Sequence, residues 1–296
     1  MPATPPLAAF QRARIGLRRS ALRRQLQAVA AGKSKHVAID LDDNGAAAIV
    51  EEITSGLASD SFALDLLVVA FKDSKTADAV VERMSSRSVR DRVTSARIVG
   101  ALRIYETVPW LSPLLAARDP SVADAAARAL GKIGGNPSAS ALLLAIRRRG
   151  PNRRLISELA RGAPDLFLES ALGERQKPTV RPALAIAAGL RRRHTAISHL
   201  AMLVQRGSPR ERVISCRALG WIGAATTVPL IRDALQDRDW KIRQSAAKAL
   251  GALRASSCRS ELEFLCFDHN PRVRKAARQA LYLINRVPAK RPGHGA

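Results

Sequence analysis

Aromatic side chains are scarce in this chain, cysteine is scarcer, and acids are outnumbered. Phe, Trp and Tyr together make up 4% of 296 residues. Any core must therefore be assembled from Ala, Leu, Val and Ile, which suits tightly stacked helices better than a β-sandwich. Cys216, Cys258 and Cys266 form no C-x-x-C pair, and their odd number leaves one over in any disulfide scheme. A reducing compartment fits that usage. No apolar run is long enough to span a bilayer; the best, "FALDLLVVAF", is short and carries Asp65. The N-terminal residues also lack the apolar block of a secretory signal, so the sequence reads as cytoplasmic. Asp and Glu number 25 against 49 Lys and Arg, a net charge of +24. Such a field should attract acidic protein, nucleic acid or an anionic membrane surface.

Phrases that carry catalysis are missing as well. There is no G-x-S-x-G, no Walker A and no G-x-G-x-x-G. "GKIGGNPS" at 131–138 is a glycine-rich turn without the lysine–serine ending of a phosphate loop. His194 and His199 fall on different faces of a helix and lack a third ligand, and with Cys216 they make no zinc spacing. The expectation is a chain that is not an enzyme and needs no cofactor.

What the chain has in abundance is one phrase, rewritten. "RDWKIRQSAAKALGAL" at 238–253 recurs as "RDPSVADAAARALGKI" at 118–133, "GSPRERVISCRALGWI" at 207–222 and "HNPRVRKAARQALYLI" at 269–284. Anchored on the glycine of Ala-Leu-Gly, the series runs Gly100, Gly131, Gly162, Gly189, Gly220, Gly251, with Tyr282 in the next slot. Every step is 31 residues except the 27 between Gly162 and Gly189. A fixed period of this size marks a solenoid. Each period has room for two short helices. In the second, Ile242, Ser245, Ala246, Ala249, Leu250 and Leu253 fall on one stripe at i, i+3, i+4, i+7 spacing. Asp119-Pro120 and Asn270-Pro271 supply helix starts. Neither helix could bury its face alone, so the core exists only when units stack.

The phrase D-P-x-V-R-x-x-A-A-x-A-L-G-x-I-G, as in "DPSVADAAARALGKIG", resembles the short HEAT-like repeat of the phycobilisome-lyase type over about residues 86–286. The resemblance implies an all-α fold, a right-handed α-solenoid of stacked two-helix repeats of about 31 residues, and a protein-binding scaffold. It departs at 150–190, where a period is short and Pro178 and Pro182 disturb the phrase, so an irregular unit is expected there. Asp91 and Glu211 also stand where Val is usual. The expected organisation is a basic segment at 1–39, partly helical or disordered, a solenoid at 40–286, and a basic disordered tail at 287–296. Lyase activity and the glycosylase activity of some HEAT-like proteins find no support: no bilin site is identifiable, and Trp110, Trp221 and Trp240 read as packing residues.

Two cationic columns run through the units. Seven residues before the leucine slot stand Arg92, Arg154, Arg181, Arg212, Arg243 and Arg274, with Ala123 the single exception. That position flanks the apolar stripe, so the column reads as a structural ladder bonding carbonyls or acids of the next turn, such as Asp119 or Asp239; a row of anion-binding forks is the alternative. Two residues before the leucine slot stand Arg97, Arg128, Arg217 and Lys248, with Leu159, Ile186 and Gln279 as the exceptions, and this column points away from the stripe. The resemblance implies that second helices line the concave face. These cations, with Arg210 and Lys275 nearby, are the expected partner contacts; a merely solvated face is the alternative.

Residues 1–39 carry eight Lys or Arg and no acid. Arg12, Arg14, Arg18, Arg19, Arg23 and Arg24 spread around the wheel, which favours docking to an acidic surface over membrane insertion. "DLDDNGAAAIVE" at 40–51 fits a calcium-loop pattern, with Asp40, Asp42, Asn44 and Glu51 as ligands. Ala48 and Ala47 spoil two of its slots and no second loop exists, so a polar turn capping a helix at 46–57 is the preferred reading. The functional expectation is a non-catalytic scaffold holding an acidic protein along a basic concave face, with nucleic-acid binding and a membrane-surface accessory as alternatives.

Overall fold

A computed structural model describes residues 6–43, 45–58 and 60–286 of the chain. It is helical throughout, with no strand among the described residues. The chain divides into two compact units, one formed by the residues up to Arg148 with Arg161–Ala163, the other by Arg149–Ala160 and the residues from Pro164 onward. The division falls in the region of the short period.

In the first unit the helices are α1 (Pro6–Ala30), α2 (Ala46–Ser55), α3 (Phe62–Lys72), α4 (Thr76–Met84), α5 (Val89–Ala101), α6 (Val108–Leu114), α7 (Pro120–Ile133) and α8 (Gly135–Arg149). Next come α9 (Arg153–Gly162), α10 (Asp165–Gly173), α11 (Val180–Leu190), α12 (Ile197–Arg206), α13 (Pro209–Ile222), α14 (Val228–Asp233), α15 (Trp240–Leu253), α16 (Arg259–Phe264) and α17 (Pro271–Asn285). Within each unit, second helices pack against second helices: α5 against α7, and α11, α13, α15 and α17 in succession. From α4 onward, first helices other than α8 are shorter than the second helices that follow them, and α14 and α16 each run into a 3-10 turn.

Local chemistry sets the start of five second helices, α5, α7, α13, α15 and α17. Ser88, Asp119, Ser208, Asp239 and Asn270 each turn a side-chain oxygen onto a backbone N–H of the first turn, satisfying a donor that the helix itself cannot. The acid at 211, unusual for the phrase, has its reason here. Glu211 accepts from the Ser208 N–H at 2.7 Å, completing a reciprocal capping box. Pro182 disturbs the phrase without breaking α11, because it sits in the first turn, where no intrahelical donor is lost.

The stripe of α15 is buried as its spacing predicts at Ile242, Ser245, Ala246, Ala249 and Leu250, while Leu253 is half-buried. The phrase glycines explain how second helices come so close. A Cβ placed on Gly100 would lie 2.5 Å from the Cα of Ala129. On Gly189, Gly220 and Gly251 it would lie 2.9, 2.9 and 2.7 Å from the Cα atoms of Ala218, Ala249 and Ala280. In each case the partner is the alanine two places before the next unit's phrase glycine, or before Tyr282 in the last. Backbone meets backbone, and the register is the same each time.

The N-terminal segment is helical over Pro6–Ala30. α1 is a continuous helix whose last turns bury Leu22, Leu26 and Val29, and it packs against α2 and α3. Val37, Ile39 and Leu41 are buried as well. The residues at 287–296, expected to be a disordered tail, lie outside the described residues.

Gly220→Ala should lower stability by about 1–2 kcal/mol in urea denaturation, overpacking outweighing the helix propensity gained. Gly16→Ala, in α1 with nothing within 4 Å of the added methyl, should be neutral or stabilising by up to about 1 kcal/mol. Equal effects at the two sites would contradict the close-approach explanation.

Candidate partner-binding surface

The ladder column is spent inside the fold. In the second unit Arg243 grips Asp268 with two bonds, Nε to Oδ2 at 2.7 Å and Nη2 to Oδ1 at 3.0 Å, while its Nη1 donates to the carbonyls of Asp237 and Arg238. Arg212 donates to the Val204 carbonyl and pairs with Asp237 at 2.5 Å. Arg274 donates to the carbonyls of Asp268 and His269. Arg181 bonds Glu211 at 3.1 Å and the Glu174 carbonyl. Arg181, Arg243 and Arg274 thus fasten the loop entering their own helix, Arg212 fastens the last turn of α12, and three of the four also reach an acid of the next unit. The acids engaged are Asp237, Asp268 and Glu211. Asp119 and Asp239, the partners suggested by the sequence, instead cap their helices. Arg154 meets Glu158 along its own helix at 3.4 Å. Arg92 adds its charge to Asp119, whose carboxyl is held low chiefly by its bond from Ser121.

The outward column behaves differently in the two units. In the first, Arg97 is not free: it bonds Glu51 through Nε at 3.1 Å and Nη2 at 2.5 Å, and Lys132 reaches the same carboxylate at 3.1 Å. Burial pushes Glu51 up, but the bonds and charges of Arg97 and Lys132 outweigh it and leave the carboxyl below its ordinary range. Arg128 donates to the Asp124 carbonyl of its own helix. In the second unit Arg210, Arg217, Lys248 and Lys275 are exposed. No ion pair engages them among the described residues. Helices α11, α13, α15 and α17 together hold eleven Lys and Arg but one acid, Glu211. That acid is 6% exposed and already committed to Ser208 and Arg181. The second-helix face of this unit is therefore uniformly basic.

Tryptophan sits among these cations. Arg217 lies over Trp221 at 5.1 Å from the ring centroid. Trp240 is flanked by Lys241 at 5.8 Å and Arg272 at 5.3 Å, within cation–π range. Both rings are half-buried, and Trp110 is 44% exposed, so the expectation of three packing residues is too simple. The signal was readable: Trp240 replaces the helix-starting proline found at 120, 209 and 271, so its ring stands at the helix entrance beside the next unit. On the first-helix side, Phe264 and Phe267 are 79% and 86% exposed near a cleft of about 720 Å³. No periodicity marked them.

The remaining predicted positions are dispersed. Arg18, Arg19 and Arg23 pair with Asp40, Asp43 and Glu52, so these arginines hold α1 in place and are not a free docking row. Arg14 and Arg24 stay exposed; the side chain of Arg12 lies outside the described residues. Of the calcium-loop set, Asp40 faces Arg18, Asp42 faces Arg83 at 2.9 Å, and Glu51 faces Arg97 and Lys132. Asn44 is outside the described residues. Among the described residues no three His, Cys, Asp or Glu side chains are grouped as a metal ion requires. Burial pushes the Cys216 thiol up to about 12, so it remains protonated. No described helix is long and apolar enough to cross a membrane.

Residues 77–163 and 200–282 match the family model described as HEAT repeats, more than half of the chain. The chain belongs to the HEAT repeat family. No curated protein matches it. Among solved structures it is similar to human deoxyhypusine hydroxylase in complex with glycerol, at 19% identity over 91% of this chain and 99% of that one, TM-score 0.36. It is also similar to an engineered protein at 19% identity, covering 89% and 78%, TM-score 0.39. A designed armadillo repeat protein matches at 16% identity, covering 70% and 99%, TM-score 0.37. None of these likenesses bears on what the HEAT array binds.

The ladder has a pH consequence. The Arg243 bonds hold Asp268 below its ordinary 3.8. Glu211, pushed up by burial, is brought below its ordinary 4.5 by Ser208 and Arg181. Carboxylates lowered in the folded state stabilise it above their unfolded values and lose that contribution as pH falls through the folded ones. The melting temperature should therefore drop as the solution is acidified below 4.5. Asp268→Asn should cost about 1–3 kcal/mol at neutral pH and flatten part of that acid slope, measured by thermal denaturation across pH.

Proposed function

We propose that the chain is a non-catalytic HEAT-repeat scaffold that holds an acidic protein segment along the second-helix face of its C-terminal unit. The observation that carries this reading is the division of cations there. The ladder arginines are consumed by loop carbonyls and acids, whereas Arg210, Arg217, Lys248 and Lys275 are presented to solvent on helices whose single acid is buried. Arg217 and Lys248 stand one repeat apart in the same column, with Arg210 and Lys275 on α13 and α17, the helices flanking α15, and long cations so spaced suit an extended acidic segment. Leaving such charges unpaired costs self-repulsion in the free protein, which an acidic partner relieves.

A second reading, single-stranded nucleic acid, has one specific observation in its favour: Trp221 and Trp240 stand beside cations, the combination that lets bases stack while phosphates are neutralised. Trp240 is clasped by cations on two flanks and Trp221 lies against the Gly189 backbone. That occupancy leaves little open ring face for a base, so the protein partner is favoured.

Fluorescence anisotropy with a labelled glutamate-rich peptide and a labelled oligo-dT separates the two. The peptide should bind more tightly at about 200 mM salt, where phosphate contacts are strongly weakened. Replacing Arg210, Arg217, Lys248 and Lys275 together by Ala should weaken it about tenfold or more without moving the melting temperature. Tighter oligo-dT binding, or peptide affinity unchanged in the fourfold variant, would refute the proposal.

A further inference from the structure

The HEAT repeats carry a similar notch in each unit, one with a carboxylate in its wall and one without. In the first unit a cleft of about 230 Å³ between α5 and α7 is walled in part by Arg97, Ala125, Arg128, Ala129 and Lys132, and Glu51 forms a further part of its wall. In the second unit a cleft of about 310 Å³ between α15 and α17 is lined by Lys248, Ala276, Gln279, Ala280 and Leu283. These are the same five positions. A constant offset of 151 takes Arg97 to Lys248, Arg128 to Gln279 and Lys132 to Leu283, and the two alanines map onto alanines. The phrase glycine beside each notch, Gly100 or Gly251, lets the floor approach to backbone contact. The walls of the second notch are thus built the same way, but none of its five lining residues is an acid.

Resting on the proposed scaffold function, we infer that the notch between α15 and α17 is a seat for a carboxylate side chain of the acidic partner, of the kind Glu51 already occupies between α5 and α7. Glu51 shows what the notch selects. Its carboxylate enters between two second helices, is held by the outward cation of the nearer one and meets a cation one turn further along the other. In the open notch Lys248 supplies the first cation, and the Gln279 amide can donate a second bond. Leu283 replaces the second cation with an apolar wall, lying within reach of Gly251. The fitting ligand is therefore a glutamate with an apolar neighbour in the partner segment, not a run of acids alone. The chain's own Glu51 is an internal example of the ligand and already engages the cations of the first notch.

The test uses the full chain and a labelled peptide of alternating glutamate and leucine, with affinity read by anisotropy. Lys248→Met should weaken binding about threefold or more. Leu283→Lys, which recreates the cation pair of the first notch, should tighten binding of an all-glutamate peptide about threefold or more. A gain of affinity cannot arise from misfolding, so the second variant decides even if the first is damaged. If neither substitution moves the affinity while Arg210→Glu with Arg217→Glu weakens it, the notch is not a seat although the scaffold reading stands. If the wild-type chain binds neither peptide, both fall.

Discussion

Backbone contact between consecutive second helices is the constraint from which the rest of the molecule follows. At Gly189, Gly220 and Gly251 the missing side chain lets the Cα of an alanine in the next helix come within 3 Å of where a Cβ would be. Helices this close favour small residues where the backbones meet, and Ser215, Ala218, Ser245, Ala246 and Ala249 are buried there. Larger side chains reach the seam beside a glycine, as Trp221 does at Gly189 and Leu283 at Gly251. Seams of constant register then carry every outward position into a regular row. The basic face is a by-product of the packing.

Charge is divided by the geometry of that seam. A cation flanking the stripe, such as Arg243, is brought over the loop that enters its own helix, where carbonyls and Asp268 await it. A cation two positions before the leucine points away from the same seam and meets no acid, as Lys248 and Arg217 show, Arg217 lying over the Trp221 ring. One residue type therefore serves two purposes according to its angle on the helix. The first column makes successive loops rigid; the second stores unspent charge. Only where another element covers the face is the second column neutralised, and α2 does so in the first unit through Glu51. HEAT repeats of one sequence phrase thus yield a closed face and an open one.

Much of this was legible without coordinates. The Ala-Leu-Gly phrase at its fixed period gave the stacked two-helix units, and the phrase "DPSVADAAARALGKIG" gave the family. Column reading separated Arg243 from Lys248 before their surroundings were known. What stayed hidden depends on loop conformation or on distant pairing. Asp237 and Asp268 lie in turns whose path no periodicity describes, so Asp119 and Asp239 stood out instead. The pairing of Glu51 with Lys132 spans most of a unit's length in sequence, and a calcium-like pattern competed for the same carboxylate. In α1 the buried positions Leu22, Leu26 and Val29 occupy only its last turns, and the arginines of its first half mask that short stripe on a whole-helix wheel.

The decisive measurement is a double-mutant cycle at one seam, Gly251→Ala with Ala280→Gly, followed by urea denaturation. If close backbone approach governs the stack, the methyl added on one helix is accommodated by the methyl removed from the other, and the pair should recover about 1 kcal/mol or more relative to the two single effects. Additivity within about 0.3–0.5 kcal/mol would mean that the two helices do not meet there as described.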